Sequence, residues 1–238
     1  MTQTLIDEFK KDLVSRSIEW IAKFYLFEGT PYVFRNKPEL TKELAAHLSS
    51  ELNISFQNIR LIGSAKVGFS LSLDNFPREF SDRSDIDVLI VDEALFDEIW
   101  MYLLKWHYPR RLSSLGQVDG RWMRKRRKDI YWGWFHPDKI RYQGLSLPND
   151  LRPLRDISTS WFNAFRGLSN YPDFAERNVS GRLYRSWEHA RLYHVDGLRQ
   201  IKKTVMNRHS PDSLLVRGNH TTVPPSGERN HFRRHPMT

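Results

Sequence analysis

The sequence predicts a mixed α/β (α+β) fold: a small mixed sheet flanked by N-terminal helices and a long C-terminal helix. Three observations carry that expectation. Residues 85–91 (DIDVLIV) form a β-branched apolar run of strand length. Residues 5–27, 37–52 and 93–106 each place apolar side chains at helical spacing. Residues 182–206 continue such a spacing over the longest stretch in the chain.

The elements follow in order. Leu5, Phe9, Leu13, Ile18, Ile21, Ala22 and Tyr25 form the first stripe, with a break near residues 15–17, and Gly29, Thr30 and Pro31 end it. In the second helix Pro38 stands where a first-turn proline is tolerated, and Leu40, Leu44, Ala45, Leu48 and Leu52 make the stripe. Ile59–Ile62 is a short buried strand. The strand over 85–91 leads into a helix with Leu95, Phe96, Ile99, Leu103 and Trp106 on one side, and Asp92 suits its N-cap. Residues 110–128 are polar and very basic. Residues 129–135 (DIYWGWF) have strand composition, and His136, Pro137 and Asp138 read as the turn after it.

Residues 147–155 read as a proline-punctuated connector and 158–168 as a helix. Leu183, Trp187, Ala190, His194, Leu198, Ile201 and Val205 then recur at helical spacing. From Asn207 onward Pro, Gly, Arg, His and Thr dominate without any period, the composition of a disordered tail. That segment reads unlike the rest, as an altered or readthrough C-terminus would. The organisation is therefore a first domain over 1–146, a helical part over 147–206 packed on it, and a tail over 207–238.

Composition narrows the function classes. The chain has 238 residues, room for one large domain or two small ones. A net charge of +9 favours polyanionic partners such as nucleotides or nucleic acid. The absence of cysteine excludes disulfides and Cys-ligated zinc. No apolar run reaches the length of a bilayer span, and the N-terminus has early acidic residues and no signal-peptide core. These features read as a cytoplasmic protein with no membrane partner.

The chemistry concentrates in residues 59–92. Asp85 and Asp87, at i and i+2 on a strand, point to one face and repel each other unless a cation sits between them. Mg²⁺ binds through one or two carboxylates together with substrate phosphates. Gly63 permits close backbone approach, and Ser64 offers an N–H and a hydroxyl to phosphate. Lys66 either neutralises phosphate or lies solvated on a helix face.

Gly63-Ser64 followed by Asp85-Ile86-Asp87 on the next strand resembles the core of the DNA polymerase β-type nucleotidyltransferase superfamily. Within it the chain is most similar to small prokaryotic stand-alone members. The resemblance implies a nucleotidyltransferase-type sheet, a Gly-Ser grip on the triphosphate of an NTP such as ATP, and Mg²⁺ (or Mn²⁺) held by Asp85 and Asp87. It also implies a third carboxylate from a later strand. Asp129, at the start of residues 129–135, is the first candidate beside its plainer reading as a polar strand-start residue; Asp138 and Asp119 follow. A toxin or phage-defence (antiviral) setting is common among small relatives. One departure from the family pattern is the long stretch over 73–83, either a lid over the site or a solvent-exposed excursion.

Arg121, Arg124, Lys125, Arg126, Arg127 and Lys128, with Trp122, Tyr131, Trp132 and Trp134 nearby, suit contact with RNA or a tRNA end; the alternative is a solvated loop with Trp132 and Trp134 in the core. His194 falls on an apolar stripe and reads as a core histidine. Arg185 and Arg191 either reach the nucleotide, if their helix flanks the cleft, or serve as surface salt-bridge partners, the favoured reading. Ser64 lacks the setting of a hydrolase nucleophile. Three functions are consistent with these residues: a metal-dependent nucleotidyltransferase moving an NMP to a hydroxyl on RNA, nucleotide or protein; a catalytically degenerate module that binds nucleotide or RNA and regulates a partner; and a scaffold for a protein interface.

Overall fold

A computed structural model describes residues 2–110, 117–140 and 151–208. The expectations for the connector before residue 151 and for most of the tail lie outside the described residues. Among those described, eight α-helices surround a four-stranded mixed sheet. No helix there is long and apolar enough to cross a membrane.

Helix α1 (Thr2–Ser15) ends near the predicted break. Ser17 then caps α2 (Ile18–Ile21) by accepting from the Trp20 N–H at 3.1 Å, and a π-helical turn over Ala22–Phe27 completes the segment. Helix α3 (Glu39–Leu52) buries Leu40, Leu44, Ala45 and Leu48, the predicted stripe, and stops at Asn53 in the left-handed conformation. Strand β1 (Ile59–Ile62) runs into the short helix α4 (Gly63–Val67). Strand β2 (Ile86–Val91) leads into α5 (Glu93–Arg110), where Asp92 Oδ1 accepts from the Leu95 N–H at 2.7 Å as the cap reading requires.

Two predicted elements differ. Residues 129–135 are not one strand: α6 (Gln117–Trp132) carries the basic run through Trp132, and only Trp134–Phe135 forms strand β3. Trp122, Met123, Arg126, Asp129 and Ile130 recur at helical spacing and turn inward, which outweighs the aromatic strand composition. Gly133, with φ +68°, reverses the chain after α6 and its N–H bonds back to the Ile130 carbonyl at 3.0 Å. Arg182 and Leu183 do not begin the last helix. They belong to strand β4 (Val179–Tyr184), and after α7 (Arg152–Gly167) and β4 the long helix α8 runs over Trp187–Arg208.

The sheet order is β1-β2-β4-β3. β2 is antiparallel to β1 and parallel to β4, with Ile62 and Ser180 flanking Asp87; β3 is antiparallel to β4. One sheet face carries Ile59, Leu61, Ile86, Val88, Ile90, Val179 and Leu183 into the main core with α3, α5 and α7. The other carries Ile62, Leu89, Val91 and Tyr184 beneath Ala190 of α8. Phe9 and Leu13 of α1 meet Leu198 and Ile201 of α8 in a further apolar cluster. α8 is thus clamped at both flanks, and the part of the sheet face bearing Asp87 opens into a cleft.

Candidate functional site

The cleft has a volume of about 1310 Å³. Its floor is the end of β1, the Gly63 turn and the start of β2. Gly63 has φ +66°, a conformation that glycine adopts without a Cβ penalty. A Cβ there would stand 2.9 Å from Asp87 Oδ2, so the bare Cα lets the carboxylate close onto the turn. Ser64, Asp85 and Asp87 all line the same space. Asp85, just before β2, is exposed, and Asp87 is half-buried. Burial and then the Asp85 charge raise the Asp87 pKa above its ordinary value; Arg182, a Ser180 hydrogen bond and Lys139 pull the other way.

The wall facing Asp87 comes from β4, a strand absent from the sequence reading. Its outward residues Ser180, Arg182 and Tyr184 alternate with inward Val179, Gly181 and Leu183. That two-residue alternation is the signal in the sequence, masked by the helical spacing that Leu183 shares with Trp187 and Ala190. Arg182 Nε donates to His136 Nε2 at 3.2 Å, and Nη1 donates to the Tyr184 hydroxyl at 3.3 Å. Burial and the adjacent Arg182 charge push His136 down to about 4, and the same two causes push His194 down to about 4. His194 stands 3.4 Å from the Tyr184 hydroxyl and edge-on to Phe27, in keeping with its reading as a packed histidine.

Asp129 lies on α6 rather than opening a strand. It is 5% exposed, 3.2 Å from the equally buried Arg126, and not among the residues lining the cleft. It therefore does not join Asp85 and Asp87 as a third carboxylate. Asp138 sits in the turn Pro137–Lys139, also off the cleft, and the Asp119 side chain lies outside the described residues. Lys66 is 7% exposed and faces away from the cleft: its ammonium donates to the carbonyls of Glu28 and Gly29, tying α4 to the preceding loop. Burial, then the Arg60 charge, lowers its pKa to about 8. The basic run also divides. Arg121, Arg124, Lys125, Arg127 and Lys128 are exposed, whereas Arg126 is inside.

At the end of α6, Tyr131 is 80% and Trp132 50% exposed, ring to ring at 5.3 Å. Both line the cleft mouth with Lys128, which separates Trp132 from the core reading. The long stretch over 73–83 supplies Leu73, Asn75, Arg78, Ser81 and Arg83 to the cleft. It is anchored by Phe76 against Phe9 and Phe69 and by Arg177, which donates to the Ser81 carbonyl and pairs with Asp82 at 2.9 Å. That stretch borders the cleft while most of its side chains stay exposed to solvent. Arg185 pairs with Asp97 and Glu93, each at 2.8 Å, and Arg191 with Glu188, as surface salt bridges.

Two carboxylates with a neighbouring serine hydroxyl fit one hard cation that completes its shell with water and substrate phosphate. Among the described residues, no group of three or more His, Asp or Glu side chains is arranged to hold a metal. The fold and site thus define an α+β protein with an acidic pair at the start of β2 packed against a glycine turn, inside a cleft lined by arginine and aromatic residues. No protein-family model, curated protein or solved structure matches this chain.

Proposed function

We propose that the chain is a metal-dependent nucleotidyltransferase of the DNA polymerase β type, moving a nucleoside monophosphate from an NTP to a hydroxyl acceptor. The observation that carries this reading is the closure of Asp87 onto the Gly63 turn, with Asp85 beside it at the cleft floor. It joins the two halves of the sequence resemblance in one place. The strand, Gly-Ser turn, helix and acidic strand occur in the order that the resemblance implies.

In this mechanism Asp85 and Asp87 hold Mg²⁺ or Mn²⁺, which supplies charge neutralisation at the phosphates. The bare Gly63 Cα keeps the Asp87 carboxylate against the turn, and the Ser180 hydrogen bond fixes its orientation. Ser64 offers its hydroxyl to the phosphate chain from the same turn. The acceptor oxygen bonds to the α-phosphorus, the bond to the bridging oxygen breaks, and pyrophosphate leaves with the electron pair; the acceptor proton passes to solvent. Positioning and preorganised charge do most of this work. An RNA end is the favoured acceptor, because exposed Lys128, Tyr131 and Trp132 border the cleft.

A second reading has a specific observation behind it. The register partner of Asp87 on β4 is Ser180, Arg182 follows two residues later on the same face, and β4 itself supplies no carboxylate to the pair. A chain so built would bind nucleotide or RNA and regulate a partner without turnover. The full chain, incubated with each α-labelled NTP, Mg²⁺ or Mn²⁺ and RNA or tRNA, separates the two. Label transfer with pyrophosphate release, lost in a folded Asp85→Asn/Asp87→Asn chain, supports the enzyme. Transfer that survives this double substitution removes both residues from the mechanism, and tight Mg²⁺·NTP binding without turnover supports the module.

A further inference from the structure

Arg182 acts on the Asp87 and Asp129 carboxylates through space but touches neither as an ion pair. Its side chain leaves β4 on the face that bears Asp87, two residues after Ser180. The guanidinium carbon lies 4.5 Å from the Trp134 ring centroid and 4.7 Å from that of Tyr193, so two aromatic faces grip it. The hydrogen bonds to His136 and Tyr184 set its rotation. Among the described residues no carboxylate forms an ion pair with it. Withdrawing a guanidinium from water is costly unless an anion and good hydrogen bonds compensate. The rings offset part of that cost, and the Tyr184 and Tyr193 hydroxyls accept from its N–H donors, but none of these partners carries a negative charge. The neighbouring His136 and His194 are neutral at pH 7, so neither competes for an anion.

A half-buried guanidinium held between two rings on a cleft wall is a preorganised receptor for phosphate oxygens. We propose that Arg182 is the phosphate anchor of this cleft, taking non-bridging oxygens of the substrate's phosphate chain while Asp85 and Asp87 face its cation. The identity of the ligand rests on the nucleotide reading above; the anchor itself requires no transfer reaction. The rival role is purely internal, Arg182 serving only to offset the Asp87 charge.

The test uses the full chain in EDTA, titrated by calorimetry with tripolyphosphate, ATP and adenosine. Tripolyphosphate and ATP are expected to bind the unaltered chain. Arg182→Gln should weaken both by about tenfold or more, the loss expected for charge-assisted hydrogen bonds. Arg182→Lys should fall between, since an ammonium keeps the charge and loses the fork. Adenosine affinity should not change, and the salt dependence of tripolyphosphate binding should flatten in Arg182→Gln. A structural role alone would move all three ligands together.

Where Arg182→Gln fails to fold, Tyr193→Leu keeps the charge and removes one aromatic wall; it should weaken tripolyphosphate binding while sparing adenosine. Tripolyphosphate affinity unchanged in the folded variant, or no tripolyphosphate binding by the unaltered chain, overturns the anchor. Phosphate binding that persists in a chain inactive with every NTP leaves the anchor standing and rejects only the transferase. Label transfer with no phosphate loss in Arg182→Gln does the reverse.

Discussion

Asp87 Oδ2 packs against the Cα of Gly63, leaving no room there for a methyl group: a Cβ would sit 2.9 Å away. Two segments more than twenty residues apart thus meet because one lacks a side chain and the other ends a short acidic one. Gly63→Ala should therefore fail twice. The backbone at φ +66° disfavours any residue with a Cβ, and the added methyl drives the Asp87 carboxylate from the Ser180 hydroxyl. The expected stability loss is about 1–2 kcal/mol by urea unfolding. Mg²⁺-dependent NTP binding should fall further than the unfolded fraction explains. Unchanged affinity in a folded Gly63→Ala chain would separate the turn from the site.

The Arg126–Asp129 pair makes the next case. Both groups are almost fully buried, 2% and 5% exposed, and 3.2 Å apart. Asp129→Ala strands the guanidinium and should cost about 3–5 kcal/mol. Arg126→Met/Asp129→Leu removes both charges at similar volume and should recover most of that loss. The double variant should also keep wild-type Mg²⁺ affinity, measured by calorimetry with nucleotide present. Loss of metal binding in this folded chain would return Asp129 to the site.

Helix α6 makes a prediction about salt. Arg121, Arg124, Lys125 and Lys128 are exposed beside the Tyr131–Trp132 pair. Single-stranded RNA should bind with an affinity that falls steeply with salt. Arg124→Glu/Lys128→Glu should weaken binding across sequences and flatten that dependence. Trp132→Ala should cost about 1–3 kcal/mol per stacked base while leaving the salt slope intact. Equal binding of single-stranded RNA, duplex RNA and heparin by the unaltered chain would reduce the surface to a general polyanion patch.

The strand and its acids were legible because the determinants are local. Residues 86–91 are apolar and β-branched, Asp92 precedes a helical stripe, and Gly63 is a turn residue after an apolar run. What the sequence obscured depends on distant partners. Lys66 is one residue among α4's five until the loop at Glu28 and Gly29 offers it two carbonyls. Asp129 reads as a strand opener until Arg126, one helical turn away, claims it inside the core. Arg182 was hidden by register: a helical stripe through Leu183, Trp187 and Ala190 overran the boundary between β4 and α8. The aromatic grip on Arg182 joins β3, β4 and α8, a conjunction that no single window displays.

Burial, and after it the Arg182 charge, also sets the acid response. Ordinary histidine titrates near pH 6.5, whereas burial pushes His136 and His194 down to about 4 in the folded chain. Burial comes first for both; the charges of Arg182, Lys139 and Arg126 add to it at His136 against a Gly181 backbone hydrogen bond, and Arg182 adds to it at His194. Between those values the unfolded chain binds protons that the folded chain refuses, so stability falls as pH drops from about 6.5 toward 4. The slope is at most about 1.4 kcal/mol per pH unit for each histidine, less where water reaches the ring. Urea midpoints at pH 7, 6 and 5 should decline, ahead of the range where most carboxylates protonate. His136→Gln/His194→Gln should flatten that decline, and Arg182→Gln should flatten it partly by removing the charge that both imidazoles oppose. Identical midpoint profiles for the unaltered and double-histidine chains would place the acid sensitivity elsewhere.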